Sequence, residues 1–166
     1  MPVMDQGVNS ERYTVIPRTA IFLRRDDSYL LLKGAPTKRL FANLYNGLGG
    51  HVERGEDVLA AALRELREES GLAADLWLCG TLMVDTGGSP GICLFIFTGE
   101  RPVGELQPSG EGLPEWIGYD DLAGLPVVED LPAILGRIHG MRTGDPPFAA
   151  RSFYDPDGRL AVVFAP

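Results

Sequence analysis

Short apolar, β-branched runs recur along the chain and are separated by stretches rich in turn-forming residues, which is typical of strands joined by tight connections. The strands that this pattern predicts fall within residues 13–25, 29–34, 76–85, 92–99, 115–119 and 151–164. Asp-Asp-Ser separates the first two runs, and Asp157-Gly158 interrupts the last, so we expect a hairpin at each place. Residues 101–114 are rich in glycine and proline and predict a loop.

Only one segment has a strong helical pattern, from about Asp57 to Ser70. Asp57 is the expected N-cap, and Gly71 follows the last turn as the expected left-handed residue. Two shorter helices are expected near 120–124 and 129–140. Because strands surround these helices without regular strand–helix–strand alternation, we predict an α/β fold, a sandwich with a mixed sheet. Residues 12–166 are expected to form one domain behind a loose tail at 1–11.

The main helix carries three glutamates within five positions, Glu65, Glu68 and Glu69. At about 100° per residue, with Glu65 at zero, Glu69 falls at about 40° and Glu68 at about 300°. The apolar positions between about 60° and 160° are Leu59, Ala62, Leu63 and Leu66. The carboxylates are therefore expected to line the edge of the core-facing side of the helix.

Two interpretations of this acidic stripe are open at this point. Glu65 and Glu69 form a like-charge i,i+4 pair, which costs about 0.2–0.5 kcal/mol in an isolated helix. A divalent cation among the carboxylates would reverse that cost, and clustered oxygen ligands suit Mg²⁺ or Mn²⁺. The alternative is a solvated helix surface, because Arg64 and Glu68 are an oppositely charged i,i+4 pair.

Composition narrows the possible partners. The net charge of −8 argues against binding to duplex nucleic acid, which requires a basic face, but it leaves small phosphorylated substrates open if a metal supplies positive charge. No run approaches the ~18 apolar residues of a membrane span, and no secretory signal is visible. We therefore expect a soluble, cytoplasmic protein without a membrane partner. Cys79 and Cys93 lie in apolar runs and are expected to be buried, reduced thiols.

Residues 50–72 read GHVERGEDVLAAALRELREESGL and resemble the Nudix box, G-x5-E-x7-R-E-U-x-E-E-x-G-U, where U is a bulky aliphatic residue. The chain matches every fixed position: Gly50, Glu56, Arg64, Glu65, Leu66, Glu68, Glu69, Gly71 and Leu72. The resemblance implies an α/β/α sandwich in which a catalytic helix follows a glycine-rich loop. It also implies Mg²⁺- or Mn²⁺-dependent hydrolysis of a nucleoside diphosphate linked to another group.

The same resemblance implies roles for individual residues. Glu65, Glu68 and Glu69 would hold metal, with the Gly49 carbonyl as a further ligand, and Glu65 is our candidate to orient or deprotonate the attacking water. Arg64 would support catalysis through a structural ion pair with Glu56, while Gly50 and Gly71 would shape the loop and the helix end. Members that cleave nucleoside triphosphates take one more acidic ligand from a later loop; Glu111 is the candidate here and Glu115 the alternative.

The run LYNGLGG before the box and the closing FAARSFYDPDGRLAVVF resemble the animal-type 8-oxo-dGTP diphosphatases, a subgroup that hydrolyses oxidised purine nucleoside triphosphates. This implies that Asn46 contacts the base, although a turn-forming role before Gly47 explains it equally well. The subgroup grips the base with a tryptophan and two acidic residues; here Glu129 and Asp130 are present without the tryptophan.

Several functional alternatives stay open. The substrate could instead be ADP-ribose, a nucleotide sugar or a dinucleoside polyphosphate, or the chain could be a nucleotide-sensing module without catalysis. Lys33, Lys38 and Arg39 could meet a triphosphate or be solvated loop charges. The sequence does not distinguish a monomer from a homodimer.

Overall fold

The computed structural model describes Gly7 and residues 11–166, so the predicted tail at 1–11 lies almost entirely outside the described residues. The strands are β1 Val15–Arg25, β2 Ser28–Gly34, β3 Tyr45–Asn46, β4 Leu72–Val84, β5 Gly91–Gly104, β6 Gly112–Gly118, β7 Phe148–Tyr154 and β8 Leu160–Phe164. The helices are α1 Val58–Ser70 and α2 Leu131–His139, with a 3-10 helix at Tyr119–Gly124. None of the helices in the described part of the chain is long and apolar enough to span a membrane.

The strands form one mixed sheet in the order β3-β2-β1-β5-β4-β7-β8, and β6 pairs with β2 outside this order. β1 runs parallel to β5, and β4 runs parallel to β7, while the remaining pairs are antiparallel. Both predicted hairpins are present, β1 with β2 and β7 with β8. The prediction of a mixed sheet is confirmed.

Side chains of each central strand alternate between two hydrophobic cores, one on each face of the sheet. On β1, Ala20 and Phe22 belong to the core that includes α2, whereas Ile21 and Leu23 belong to the core that includes α1. Each face of the sheet is thus covered by a helix, which gives the predicted α/β/α sandwich. The arrangement anchors α1 and the loop before it rigidly on one face.

The predicted limits of α1 are confirmed by its caps. The Asp57 carboxylate accepts hydrogen bonds from the backbone N–H groups of Leu59 and Ala60, both at 2.9 Å. Gly71 has a φ of +74° and donates its N–H to the Arg67 carbonyl at 2.9 Å. The helix therefore ends where glycine can adopt the left-handed conformation at little cost.

The expected orientation of α1 was partly wrong. Leu59 and Leu63 are each 40% exposed, whereas Glu69 is only 4% exposed. The buried residues of the helix are Ala61, Ala62, Leu66, Glu69 and Ser70. The helix is rotated because the small alanines and Leu66 pack against the sheet, and Glu69 is consequently inside the buried side of the helix and not at its edge.

Strand limits also differ from the prediction. β4 begins at Leu72, directly after Gly71, and β5 continues to Gly104, so residues 101–104 are strand and not loop. The backbone pairing of Leu72 with Gly104 extends the ladder regardless of the polar side chains nearby. The predicted loop likewise ends early, because β6 begins at Gly112. Cys79 is buried as expected, but Cys93 is partly exposed; both are free thiols.

Candidate active site

The glycine-rich segment before α1 is pinned to β1 by backbone hydrogen bonds. Ile21 donates its N–H to the Leu48 carbonyl at 2.7 Å, and Thr19 donates to the Gly50 carbonyl at 2.8 Å. Gly49, between them, has a φ of +133°, and a Cβ there would collide with the Thr19 carbonyl. Only glycine fits this position, and the loop is held immediately beside the acidic helix.

Glu69 reaches from α1 into this loop. Its Oε2 accepts the Gly49 N–H at 2.7 Å, and the side chain is almost completely buried. Burial raises the pKa of Glu69 to about 7, and the neighbouring Glu65 and Glu111 carboxylates add to this effect, while the Gly49 N–H and Lys38 oppose it. A buried carboxylate of this kind favours a positive charge beside it.

Arg64 gathers three carboxylates around one guanidinium. Its Nε and Nη2 donate to Glu56 Oε1 and Oε2 at 2.7 Å and 3.0 Å, which is a bidentate pair. Its Nη1 donates to Glu65 Oε1 at 2.8 Å and to Glu68 Oε2 at 3.2 Å. The hydrogen bonds from Arg64 hold the pKa of Glu56 below its usual value. Nη2 also donates to the His51 carbonyl at 3.1 Å, so Arg64 joins the loop to the helix.

The two remaining glutamates of the helix differ in their exposure. The Glu65 side chain is mostly buried, whereas the Glu68 side chain is 60% exposed. Glu65 lies against the glycine loop, because a Cβ on Gly50 would be 2.5 Å from Glu65 Oε1. Gly50 therefore leaves the room that the Glu65 carboxylate occupies.

Of the two candidates for a later acidic ligand, the structure brings only Glu111 to this region. Glu111 forms an ion pair with Lys38 at 2.8 Å, and its charge acts on Glu69. Glu115 instead accepts a 2.7 Å hydrogen bond from the Tyr45 hydroxyl, which raises the pKa of Tyr45 to about 12. Glu115 is therefore engaged elsewhere, while Glu111 lines the same cavity as the acidic helix.

The donor chemistry fits a hard divalent cation, although no closed ligand set is formed. Among the residues with described positions, no three Asp, Glu, His or Cys side chains converge as a metal centre. Arg64, the Gly49 N–H and Lys38 already hold the carboxylates. The group nevertheless offers only oxygen donors, and buried Glu69 forms no ion pair with any described residue. Both features suit Mg²⁺ or Mn²⁺. Glu65, Glu68, Glu69 and Glu111 are the residues that would hold it.

A cavity of about 1110 Å³ opens beside these carboxylates. Its charged lining includes Lys38 and Arg39 as well as the four glutamates. The apolar lining includes Phe22, Leu32, Leu40, Phe41 and Leu44. One cavity thus offers both a charged and an apolar surface to a ligand.

The residues expected to contact a base are only partly brought together. Asn46 and Asp130 line the cavity, and burial raises the pKa of Asp130. Asn46 Oδ1 accepts the Gly47 N–H at 2.7 Å, so its carbonyl group serves the turn, while its amide NH₂ has no partner within the described chain. Glu129 does not line the cavity. Its carboxylate instead accepts a 2.8 Å hydrogen bond from the Tyr154 hydroxyl.

The sequence pattern did not identify two residues that line the cavity, Leu40 and Phe41. Leu40 and Phe41 are 58% and 49% exposed, and Phe41 has a φ of +60°, which is unusual for a bulky residue. The available signal was an apolar pair inside a short basic loop, outside any strand or helix pattern. Exposed apolar side chains at a cavity mouth commonly contact a ligand.

Comparisons with known proteins agree with this geometry. The family model described as the NUDIX domain matches residues 15–138. The oxidized purine nucleoside triphosphate hydrolase of Mus musculus is 35% identical over 94 residues, which is 55% of this chain and 60% of that protein. The chain thus matches about three fifths of that relative's length.

Two further relatives cover more of the chain. The NAD-capped RNA hydrolase NudC of Stutzerimonas stutzeri (strain A1501) is 29% identical over 133 residues, 78% of this chain and 46% of that protein. The crystal structure of a MutT protein from Bacillus halodurans superimposes with a TM-score of 0.76 at 25% identity, covering 92% of this chain and 99% of that one.

Proposed function

The chain belongs to the Nudix family, and on that premise we propose that it hydrolyses a purine nucleoside triphosphate to the nucleoside monophosphate and pyrophosphate. The base could be unmodified or oxidised, as in 8-oxo-dGTP. The observation that carries the proposal is a single cavity lined both by the acidic helix and by exposed Leu40 and Phe41. The mouse relative, whose name specifies oxidised purine nucleoside triphosphates, supports the choice of substrate.

The charged part of the cavity suits a polyphosphate. Mg²⁺ or Mn²⁺, when bound, would neutralise phosphate charge and lower the pKa of a coordinated water. Glu65, Glu68, Glu69 and Glu111 would hold the ion. Glu65 is the candidate base, because its carboxylate lies against the loop and the Arg64 hydrogen bond holds it there. Lys38 and Arg39 would meet phosphate oxygens.

The apolar part of the cavity suits a base. Phe41 offers a partly exposed ring for stacking, and the free amide NH₂ of Asn46 can donate to a purine acceptor. Burial raises the pKa of Asp130, and its carboxyl lines the same cavity, where it can form a hydrogen bond with the edge of a base. These groups would orient the base while the acidic helix acts on the phosphates.

A substrate panel with product analysis tests the proposal. The purified protein would be incubated with Mg²⁺ and dGTP, 8-oxo-dGTP, ATP, ADP-ribose or a nucleotide sugar, and the phosphate-containing products would be identified. We expect monophosphate and pyrophosphate from at least one purine triphosphate. Turnover of ADP-ribose or a nucleotide sugar, with none of any triphosphate, would move the chain to another substrate class.

Variants locate the reaction in this cavity. Glu65→Gln should lower kcat by at least about 100-fold, as expected for loss of a general base. Glu105→Gln is the matched control. Glu105 is exposed and directly follows β5, and its substitution removes the same charge outside the cavity. Phe41→Ala should raise KM for the nucleotide with a smaller effect on kcat, since stacking contributes to binding. Equal rates for Glu65→Gln and Glu105→Gln would exclude the proposed base.

A further inference from the structure

A second cleft, of about 630 Å³, lies at the C-terminal end of β1. On β1, the residues from Arg18 to Phe22 contribute to the first cavity, whereas the last two residues of the strand, Arg24 and Arg25, line the second. The two linings share no residue, and along β1 they come within two residues of each other, which corresponds to about 7 Å. The cleft is bordered by the β1–β2 turn, by β5 and by the segment after α2. Its charged lining consists of Arg24, Arg25, Asp26, Glu100, Arg101 and Arg142.

The four arginines of this cleft form no ion pair with the part of the chain that the structure describes. Within the described chain, no guanidinium among them lies within 4.0 Å of a carboxylate, even though Asp26 and Glu100 line the same cleft. Beside the acidic helix, in contrast, Arg64 and Lys38 are both paired with glutamates. In a chain with a net charge of −8, the cleft is a local concentration of positive charge, because its lining contains more arginines than carboxylates.

The backbone is distorted at this cleft. The pairing of β4 with β5 shifts between Ala73–Val103 and Asp75–Glu100, so β5 bulges at Arg101 and Pro102. Arg101 has a φ of +52°, a conformation that costs about 1 kcal/mol or more for a residue with a side chain. Bulges commonly re-aim a side chain beside a binding site, and this one places Arg101 in the cleft lining.

Local contacts restrict the side chains of Arg24 and Arg25 and the turn that carries Arg142. Arg24 Nε donates to the Asp26 carbonyl at 3.1 Å, which leaves its two terminal nitrogens available. The Arg25 guanidinium lies 4.2 Å above the Trp116 ring. The Arg142 backbone N–H donates to Asp145 Oδ2 at 2.8 Å, which fixes the turn that carries this arginine. Because these groups are already partly ordered, less conformational entropy is lost when an anion binds.

We propose that this cleft binds a small anion carrying two or more phosphate groups, of the class of inorganic pyrophosphate, at a site separate from the catalytic cavity. A guanidinium presents paired N–H donors that match phosphate oxygens, and Arg24, Arg101 and Arg142 contribute such groups to the cleft lining from three separate chain segments. Arg24, Arg101 and Arg142 outnumber Asp26 and Glu100 in the cleft, and the resulting positive charge attracts a multiply charged anion more strongly than a single phosphate. Binding at this site requires no metal and does not depend on the proposed hydrolysis.

Calorimetric titration with inorganic pyrophosphate in the presence of EDTA tests the site, since EDTA removes the metal that the catalytic cavity would use. We expect the unmodified protein to bind, and the double variant Arg101→Ala, Arg142→Ala to bind at least tenfold more weakly. Arg159→Ala, an exposed arginine on the β7–β8 turn, removes the same type of charge elsewhere and should bind as the unmodified protein does. Lys38→Ala, in the catalytic cavity, should also bind normally.

Further titrations define the ligand, and a second variant tests the site if the alanine variant does not fold. Orthophosphate should bind at least tenfold more weakly than pyrophosphate, and a nucleoside diphosphate shows whether the cleft also accepts a nucleoside. If the alanine variant fails to fold, Arg101→Lys with Arg142→Lys keeps the charge but loses the paired donors, and weaker binding is expected there. No binding by the unmodified protein, equal weakening by Arg159→Ala, or loss of binding in Lys38→Ala would each overturn the proposal.

Discussion

The buried carboxyl of Glu69 should make stability depend on pH when no metal is present. Burial raises its pKa from 4.5 to about 7. At about 1.4 kcal/mol per pKa unit, ionising this group in the folded chain costs about 3 kcal/mol more than in the unfolded chain. Because the folded state holds the proton more tightly, the full stability is present below about pH 4.5 and is lost as pH rises through about 7.

Replacing this group removes the pH dependence. Glu69→Gln keeps an oxygen that can accept the Gly49 N–H and imitates the protonated acid. In EDTA, we expect the variant and the unmodified protein to be equally stable at pH 4.5, and the variant to be more stable by about 3 kcal/mol at pH 8. For a chain of this length, that corresponds to a Tm difference of about 6–12 °C.

Urea denaturation of both proteins across pH 4.5–8 gives the difference between their free energies of unfolding at each pH, and the change in that difference with pH is the effect of Glu69. Other titrating groups cancel in this comparison, because they are common to both proteins. Mg²⁺ should raise the stability of the unmodified protein at pH 8 and have a much smaller effect on Glu69→Gln. Parallel stability curves for the two proteins in EDTA would show that Glu69 is not buried as an acid.

Two further substitutions test the local geometry. Gly50→Ala should place a Cβ 2.5 Å from Glu65 Oε1 and lower kcat at least tenfold with a small change in Tm, while Gly88→Ala, with open space around it, serves as the control in the same activity and melting assays. Tyr45→Phe should destabilise the fold by about 1–3 kcal/mol in urea denaturation, because it leaves Glu115 without its hydrogen bond, yet kcat should remain within about twofold. Unchanged activity of Gly50→Ala, or a large loss of activity in Tyr45→Phe, would contradict these roles.

Features with local causes were predictable from the sequence. The limits of α1 follow from the Asp57 cap and from the left-handed residue Gly71. Each of these residues bonds to residues no more than four positions away in the sequence. The β7–β8 hairpin follows from its Asp-Gly turn in the same way. The box residues Arg64 and Glu56 lie eight positions apart, and the ion pair implied for them is present because a helix and its leading loop bring them together.

Features that depend on tertiary packing were not predictable. The rotation of α1 that buries Glu69 and exposes Leu59 depends on which side chains fit against the sheet, and the helical period alone does not contain that information. The engagement of Glu115 depends on Tyr45, 70 positions away in sequence. The arginine cleft likewise combines residues from three distant segments, so no sequence window displays it.

The acidic helix is stabilised by the chain's own donors, and this constrains how it can bind a cation. Glu65 and Glu68 accept hydrogen bonds from Arg64, Glu69 accepts one from Gly49, and Glu111 pairs with Lys38. The ion pairs involving exposed Glu68 and Glu111 contribute little, about 1 kcal/mol or less, because solvent screens them. These two glutamates can therefore turn toward a cation at low cost, whereas Glu65 and Glu69 are held beside the loop. A divalent ion would be bound by two fixed carboxylates and closed in by two mobile ones, and the release of Lys38 from Glu111 would leave its ammonium free for a phosphate.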